Sequence, residues 1–227
     1  MSKETLLIEL GTEELPPKVL KKLATTFLEQ IKIQLDSAEL SHEKIKWFAT
    51  PRRIAVLISA LEGQQADKII EKRGPAINVA FDANGNASKA AMGWARSNGI
   101  EVEQAERLIT DKGEWLLYRS TQAGKSVAQL IPEMVSIALV KLPIAKPMRW
   151  GTTRTQFIRP VHTLTLMYGT DIISGEMLGV KSNNKVTGHR FHHDGLVTIQ
   201  HADDYQDALK KAYVIADYDD RKQQIFE

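Results

Sequence analysis

Residues 5–10 read Thr-Leu-Leu-Ile-Glu-Leu, an aliphatic run broken by one charge and closed by Gly11, and this predicts a short strand. Leu20, Leu23, Ala24, Phe27, Ile31 and Leu35 follow at helical spacing and form one apolar stripe. Pro17 suits the first turn of that helix, which is expected to run towards Ala38. Residues 53–61 are rich in Ile, Ala, Val and Leu and read as a second strand. This strand–helix–strand order packs a helix over a sheet that holds both strands.

The pattern changes in the middle of the chain. Lys72-Arg73-Gly74-Pro75 reads as a break, and Asp82-Ala83-Asn84-Gly85-Asn86 as a loop dense in turn residues. Ser88 is placed to cap a helix over 89–98, with Gly99 just past its end. Residues 101–108 suggest another helical piece and 114–121 a strand. Val127, Leu130, Met134 and Ile137 recur at helical spacing over 126–140, with a kink or restart expected at Pro132. Short strands are expected at 157–168, 171–178 and 196–200, with Gly169-Thr170-Asp171 turning between the first two. An aspartate at 203 or 204 caps a further helix, and Asp217-Tyr218-Asp219-Asp220 opens another.

The expected fold is α+β, a mixed sheet with packed helices plus a small, mainly helical inserted subdomain. Residues 1–71 and 126–213 make the α+β domain, 72–125 the insertion, and 214–227 the start of a helix leading into a downstream domain. The last helix has little length before Glu227, so the chain is expected to continue in nature.

With 227 residues and 43% hydrophobic positions, the chain can bury a core. A charged fraction of 26% argues against disorder. No cysteine is present, which excludes disulfides and thiolate metal sites and fits the cytoplasm. No apolar run approaches the roughly 20 residues of a membrane helix, so no membrane partner is expected. The net charge of +2 hides a gradient: residues 141–195 carry +5 and the rest −3. His189, His192 and His193 lie in the same stretch. A local excess of this kind favours a polyanion, because each neutralised phosphate releases counterions; the competing reading is a solvated basic face.

Candidate chemistry concentrates in two segments. Lys146-Pro147-Met148-Arg149-Trp150-Gly151, with Phe157-Ile158-Arg159-Pro160-Val161-His162, packs prolines, arginines and a tryptophan too closely for a core-building strand. It reads as a stiff platform from which Arg149 and Arg159 fork onto phosphate or carboxylate, or alternatively as a Trp150 anchor with arginines in structural ion pairs. In Gly188-His189-Arg190-Phe191, His189 and Arg190 suit a ribose-phosphate backbone while Phe191 anchors the loop or stacks on a base. The competing reading is a turn whose histidines bond neighbouring backbone. In Thr50-Pro51-Arg52-Arg53 alternation sends the two arginines to opposite faces if the strand begins there, so at most one serves a given surface. Lys146, Arg149, Arg159, His189 and Arg190 are therefore the candidate RNA-binding residues.

Other motifs carry less. Gly124-Lys125-Ser126 ends like a phosphate-binding loop, but Arg119 stands where the first glycine of that loop belongs. Residues 188–194 lack the periodicity that sets two histidines on one face for a metal, and no Ser-His-Asp arrangement stands out. No catalytic or metal-ligating residue is assigned.

Several segments together resemble the β subunit of the bacterial tetrameric (α2β2) glycyl-tRNA synthetase. They are Leu6-Leu7-Ile8-Glu9-Leu10-Gly11-Thr12-Glu13-Glu14-Leu15-Pro16-Pro17, Thr50-Pro51-Arg52-Arg53-Ile54-Ala55-Val56, the 146–162 platform, Gly188-His189-Arg190-Phe191, and Ile215-Ala216-Asp217 with Arg221. Thr163 departs from the pattern, where many members show a tryptophan. The resemblance implies a subunit of a cytoplasmic class II ligase that joins glycine to its tRNA using ATP and Mg²⁺. The α subunit carries that chemistry, and the family's HD-type and anticodon-binding regions would lie beyond residue 227. This chain is then expected to be non-catalytic and to need no cofactor of its own. Its expected partners are the α subunit and glycine tRNA, with no DNA. A tRNA-editing deacylase and a purely structural scaffold are the alternatives, the former opposed by the small size of glycine.

Overall fold

The computed structural model describes residues 2–151 and 154–226. In chain order it contains strand β1 (Lys3–Thr12), helix α1 (Pro17–Ser37), strands β2 (Ile45–Thr50), β3 (Arg53–Glu62) and β4 (Lys68–Ala76), and helices α2 (Ile77–Ala80) and α3 (Lys89–Ser97). Strands β5 (Glu106–Thr110) and β6 (Gly113–Gln122) and helix α4 (Val127–Val140) follow, then the short strands β7 (Met148–Arg149) and β8 (Gln156–Phe157) and the longer β9 (Val161–Tyr168). Strands β10 (Asp171–Ile172), β11 (Glu176–Met177), β12 (Val180–Asn183), β13 (Lys185–Thr187) and β14 (Leu196–Thr198) lead to helices α5 (Tyr205–Lys211) and α6 (Tyr218–Phe226). The α+β class is as expected. The chain divides into two compact units, 1–65 with 125–227, and 66–124.

The larger unit is built on a seven-stranded sheet in the order β11-β12-β9-β1-β3-β2, with β10 also paired to β9. All pairings are antiparallel except β12 with β9, so the sheet is mixed. β1 is central and buried on both faces, which explains its nearly continuous aliphatic run. Its even positions Leu6, Ile8 and Leu10 face a core shared with Leu23, Phe27 and Ile31 of α1 and Ile131 and Val135 of α4. Leu7 faces the opposite core, with Phe48, Ala55, Met167, Val186, Ile199 and Tyr205. Two-residue alternation thus sorts one strand between two hydrophobic layers.

α1 begins at Pro17 and buries every residue of the expected stripe. Gly11 does not end β1 as expected. It stands opposite Thr163 in the ladder, and a Cβ there would lie 2.1 Å from the Thr163 hydroxyl oxygen. The glycine makes room for a buried threonine, and the strand continues to Thr12. α4 continues through Pro132 with no restart there, although the ring removes one backbone donor and crowds the preceding turn. Ser126 caps that helix in a capping box with Gln129, the role the Gly124-Lys125-Ser126 segment serves here.

The smaller unit differs from its expected form. The sequence pattern predicts a mainly helical unit, whereas a three-stranded antiparallel sheet, β4-β6-β5, is its larger part. Residues 101–108 form one 3-10 turn, Val102–Gln104, and then strand β5. The expected boundary at residue 72 moves to 66 because Gly74-Pro75 makes an irregularity within β4, between Arg73 and Ala76, and does not end it. Gly74 lies against the Trp94 ring, where a Cβ would come within 2.7 Å of an indole carbon. α3 is capped by Ser88, whose hydroxyl accepts from the Ala91 amide at 3.2 Å. Its Ala91 and Ala95 pack with Ala80, Val102 and Leu116 into a separate small core.

Candidate functional site

Two charges sit inside the larger unit. Glu9, on the central strand, and Arg53, on β3, are 0% and 2% exposed at their side chains and pair at 3.2 Å. β3 begins at Arg53 and Arg52 lies in the turn before it, so the alternation expected for the pair does not apply; Arg53 is buried and Arg52 half-buried. The Tyr205 hydroxyl donates to the same Glu9 oxygen. Burial, reinforced by the Glu9 charge, pushes that phenol well above its ordinary range, so it remains a donor. For Arg53, burial alone would lower the pKa, but Glu9 and the Tyr205 oxygen outweigh it and the guanidinium stays charged. Its other end donates to the Thr187 carbonyl and, at 3.3 Å, to the Thr187 hydroxyl. Arg53 therefore ties the end of β13, and the loop after it, to the sheet.

That loop forms one wall of a cleft of about 390 Å³ lined by Glu14, residues 50–53, 188–191 and 213–215, and Arg221. Each wall has a backbone anchor. The His189 amide donates to the Ala212 carbonyl at 2.9 Å, which joins the loop to the end of α5. Arg221 donates to the Ala49 carbonyl at 2.7 Å and the Ile215 carbonyl at 2.8 Å, stitching the start of α6 to β2. Asp217 accepts from the Asp219 and Asp220 amides and pairs with Lys46 at 2.6 Å. Burial raises its carboxyl, and these hydrogen bonds more than offset it, leaving the group below the usual carboxylate range. At the rim, His162 bonds Glu13 at 2.9 Å and Arg52 pairs with it at 3.3 Å. The hydrogen bond from His162, helped by the Arg52 charge, holds the Glu13 carboxyl below its usual range.

A family model described as "Glycyl-tRNA synthetase beta subunit" matches residues 6–227. The chain belongs to that family. Among relatives, the glycine–tRNA ligase beta subunit of Colwellia psychrerythraea is 69% identical over 225 residues, which is 99% of this chain and 33% of that protein. The beta subunit of Psychromonas ingrahamii is 60% identical over 98% of this chain and 32% of that protein, and that of Pseudoalteromonas translucida is 55% identical over 99% and 33%. The chain thus spans about a third of the length of these curated relatives.

Family membership gives meaning to the cleft, because segments that carried the resemblance meet there. Glu14, Thr50-Pro51-Arg52-Arg53, Gly188-His189-Arg190-Phe191, Ile215 and Arg221 come from distant parts of the glycyl-tRNA synthetase beta subunit sequence and line one depression. Of the five candidate RNA-binding residues, His189 and Arg190 lie in it. His189 also serves its own loop, since its Nδ1 accepts from the Phe191 amide at 3.2 Å and the His192 amide at 3.3 Å. Arg159 is half-buried, and its guanidinium donates to the Glu14 carbonyl at 3.0 Å and the Ile158 carbonyl at 2.8 Å. It braces the Glu14 turn through backbone carbonyls, where the structural alternative for the platform expected an ion pair. Lys146 and Arg149 are exposed and lie outside the cleft lining, Arg149 on the β7–β8 ribbon, while Trp150 is half-buried against the main core.

Tyr213 and Arg221 were not among the candidates. Tyr213 is 65% exposed and holds a φ of 61°, in the left-handed region that side chains rarely adopt. The resemblance at Ile215-Ala216-Asp217 with Arg221 was the signal that pointed there. Among the described residues no cluster of three or more His, Cys, Asp or Glu is placed to hold a metal ion. No described helix is long and apolar enough to cross a membrane. The cleft presents guanidinium groups and aromatic rings, which suit binding of an anion with planar groups.

Proposed function

We propose that the chain is the N-terminal region of a glycine–tRNA ligase β subunit and supports tRNA recognition and assembly with the α subunit. In this reading it performs no chemistry itself, and the α subunit, a class II catalytic subunit, uses ATP and Mg²⁺ to form glycyl-tRNA in an α2β2 enzyme of the cytoplasm. The observation that carries the RNA contact is the convergence of Arg52, His189, Arg190 and Arg221 on one cleft with Glu14 as its acidic lining residue. Arg190 and Phe191 are exposed there, and the exposed Lys146 and Arg149 add charge on the platform. Phosphate contacts of this kind position an RNA without reading its sequence. Arg159 contributes by holding the Glu14 turn.

The test is glycine-tRNA affinity of the assembled ligase as a function of salt. Arg190→Ala and Arg149→Ala are each expected to weaken binding and to flatten the dependence of log K on log salt by about 0.7–1 for each phosphate that is no longer neutralised. Wild-type affinity and slope in both variants would refute the RNA contact and leave the chain as scaffold and docking surface.

A further inference from the structure

Phe191 is 81% exposed, yet the loop that presents it is built with unusual care for a surface turn. Arg53 holds the preceding Thr187, the His189 ring nitrogen accepts from the two amides that follow, and the His189 amide is tied to Ala212. Gly188 lies against the His193 ring, where a Cβ would sit 2.5 Å from an imidazole carbon. A phenylalanine that only filled space would be turned inward; this one belongs to none of the hydrophobic cores. The Arg190 guanidinium lies over its ring, with Cζ 5.5 Å from the centroid. Tyr213, held in its left-handed conformation, adds a second exposed ring that reaches to 5.8 Å from His192. That conformation closes α5, with the Val214 amide donating to the Leu209 carbonyl at 2.8 Å, and fixes where the ring stands.

We propose that this cleft takes a single unpaired nucleotide of an RNA strand, its base stacked on Phe191 and its phosphate held by Arg190. The inference rests on the RNA contact proposed above and narrows it to an unpaired segment. The size of the cleft and the chemistry of base recognition select that occupant. A volume of about 390 Å³ lies at the small end of the roughly 300–1,000 Å³ of ligand sites, the scale of one nucleotide. Duplex RNA is held through phosphates and 2′-hydroxyls across a shallow groove and has no use for an exposed phenyl ring. An unstacked base does use one, on either an aromatic face or a guanidinium plane. The preorganised loop reduces the ordering cost that a mobile aromatic would incur on binding.

The experiment uses the assembled ligase with glycine tRNA. Phe191→Ala is expected to weaken binding about 5- to 150-fold, and Phe191→Trp to retain it, because any base can stack on an indole. A photo-crosslinking p-benzoylphenylalanine at position 191 is expected to attach to a nucleotide that is unpaired in the tRNA. Wild-type affinity in Phe191→Ala, equal loss in the alanine and tryptophan variants, or a crosslink to a base-paired stem overturns the proposal. So does a crosslink to the α subunit, which would make the cleft a protein-docking surface. The two readings fail differently. If Arg149→Ala and Arg190→Ala weaken tRNA binding and Phe191→Ala does not, the RNA contact stands and the stacking site falls; if none of the three does, the contact itself falls.

Discussion

Replacing Arg53 by alanine is expected to lower the stability of the larger unit by about 3–5 kcal/mol, the range for removing one partner of a buried ion pair. Glu9, fully buried on the central strand, would lose its counter-charge while keeping only the Tyr205 hydroxyl. The Thr187 carbonyl would lose its guanidinium donor at the same time. The loss should therefore appear both as reduced resistance to urea and as a loosened 188–191 loop. A triple variant, Glu9→Leu with Arg53→Met and Tyr205→Phe, removes every member of the buried group and should be markedly more stable than Arg53→Ala. Urea unfolding of the two variants and wild type decides the matter. Equal stability of Arg53→Ala and wild type would mean that the pair is not buried as described.

Phe27→Ala should cost a similar amount, about 3–5 kcal/mol, by a different route. Phe27 is 0% exposed at the middle of the α1 stripe and packs in the core with Leu6, Ile8 and Leu10 of β1 and Ile131 of α4. Its removal leaves a cavity between the helices and the sheet, which relaxes only in part. Phe27→Leu keeps most of the volume and should lose less. The ordering of the three proteins in urea midpoint, with unchanged slope, checks this. Because Phe27 lies on the face of the sheet opposite Tyr205, the change should leave the loop tied by Arg53 in place.

Those two residues show what could be read in the sequence. The α1 stripe was legible because six apolar positions at helical spacing, with a proline at the first turn, admit one interpretation. Strand β3 and the Ser88 cap were legible for the same local reason. β2 escaped, since Ile-Lys-Trp-Phe-Ala-Thr at a sheet edge has no clean alternation and takes its structure from pairing with β3. β4 was hidden by Gly74-Pro75, which in isolation looks like a break and is stabilised as an irregularity by pairing with β6. The two- and three-residue strands near the end depend on tertiary contacts that no local pattern encodes.

The candidate site was legible in pieces. Resemblance and charge pointed to Thr50–Arg53, Gly188–Phe191 and Ile215–Asp217 one at a time, while alternation could not sort Arg52 from Arg53, because Arg52 lies in the turn before β3. Nothing in the spacing said that these segments share a cleft, because their meeting depends on sheet register and on the hydrogen bonds of Arg53 and Arg221. Tyr213 enters the site through an unusual backbone conformation, which a residue name does not disclose. Arg159 looked like a free fork and is held by two backbone carbonyls.

The most direct test of the proposed RNA contact is hydrogen–deuterium exchange of the assembled ligase with and without glycine tRNA. Slowed exchange is expected in residues 50–53, 188–191 and 213–215 together, since all three line one cleft. Unchanged exchange in these three segments, with protection appearing elsewhere in the complex, would contradict the proposed contact.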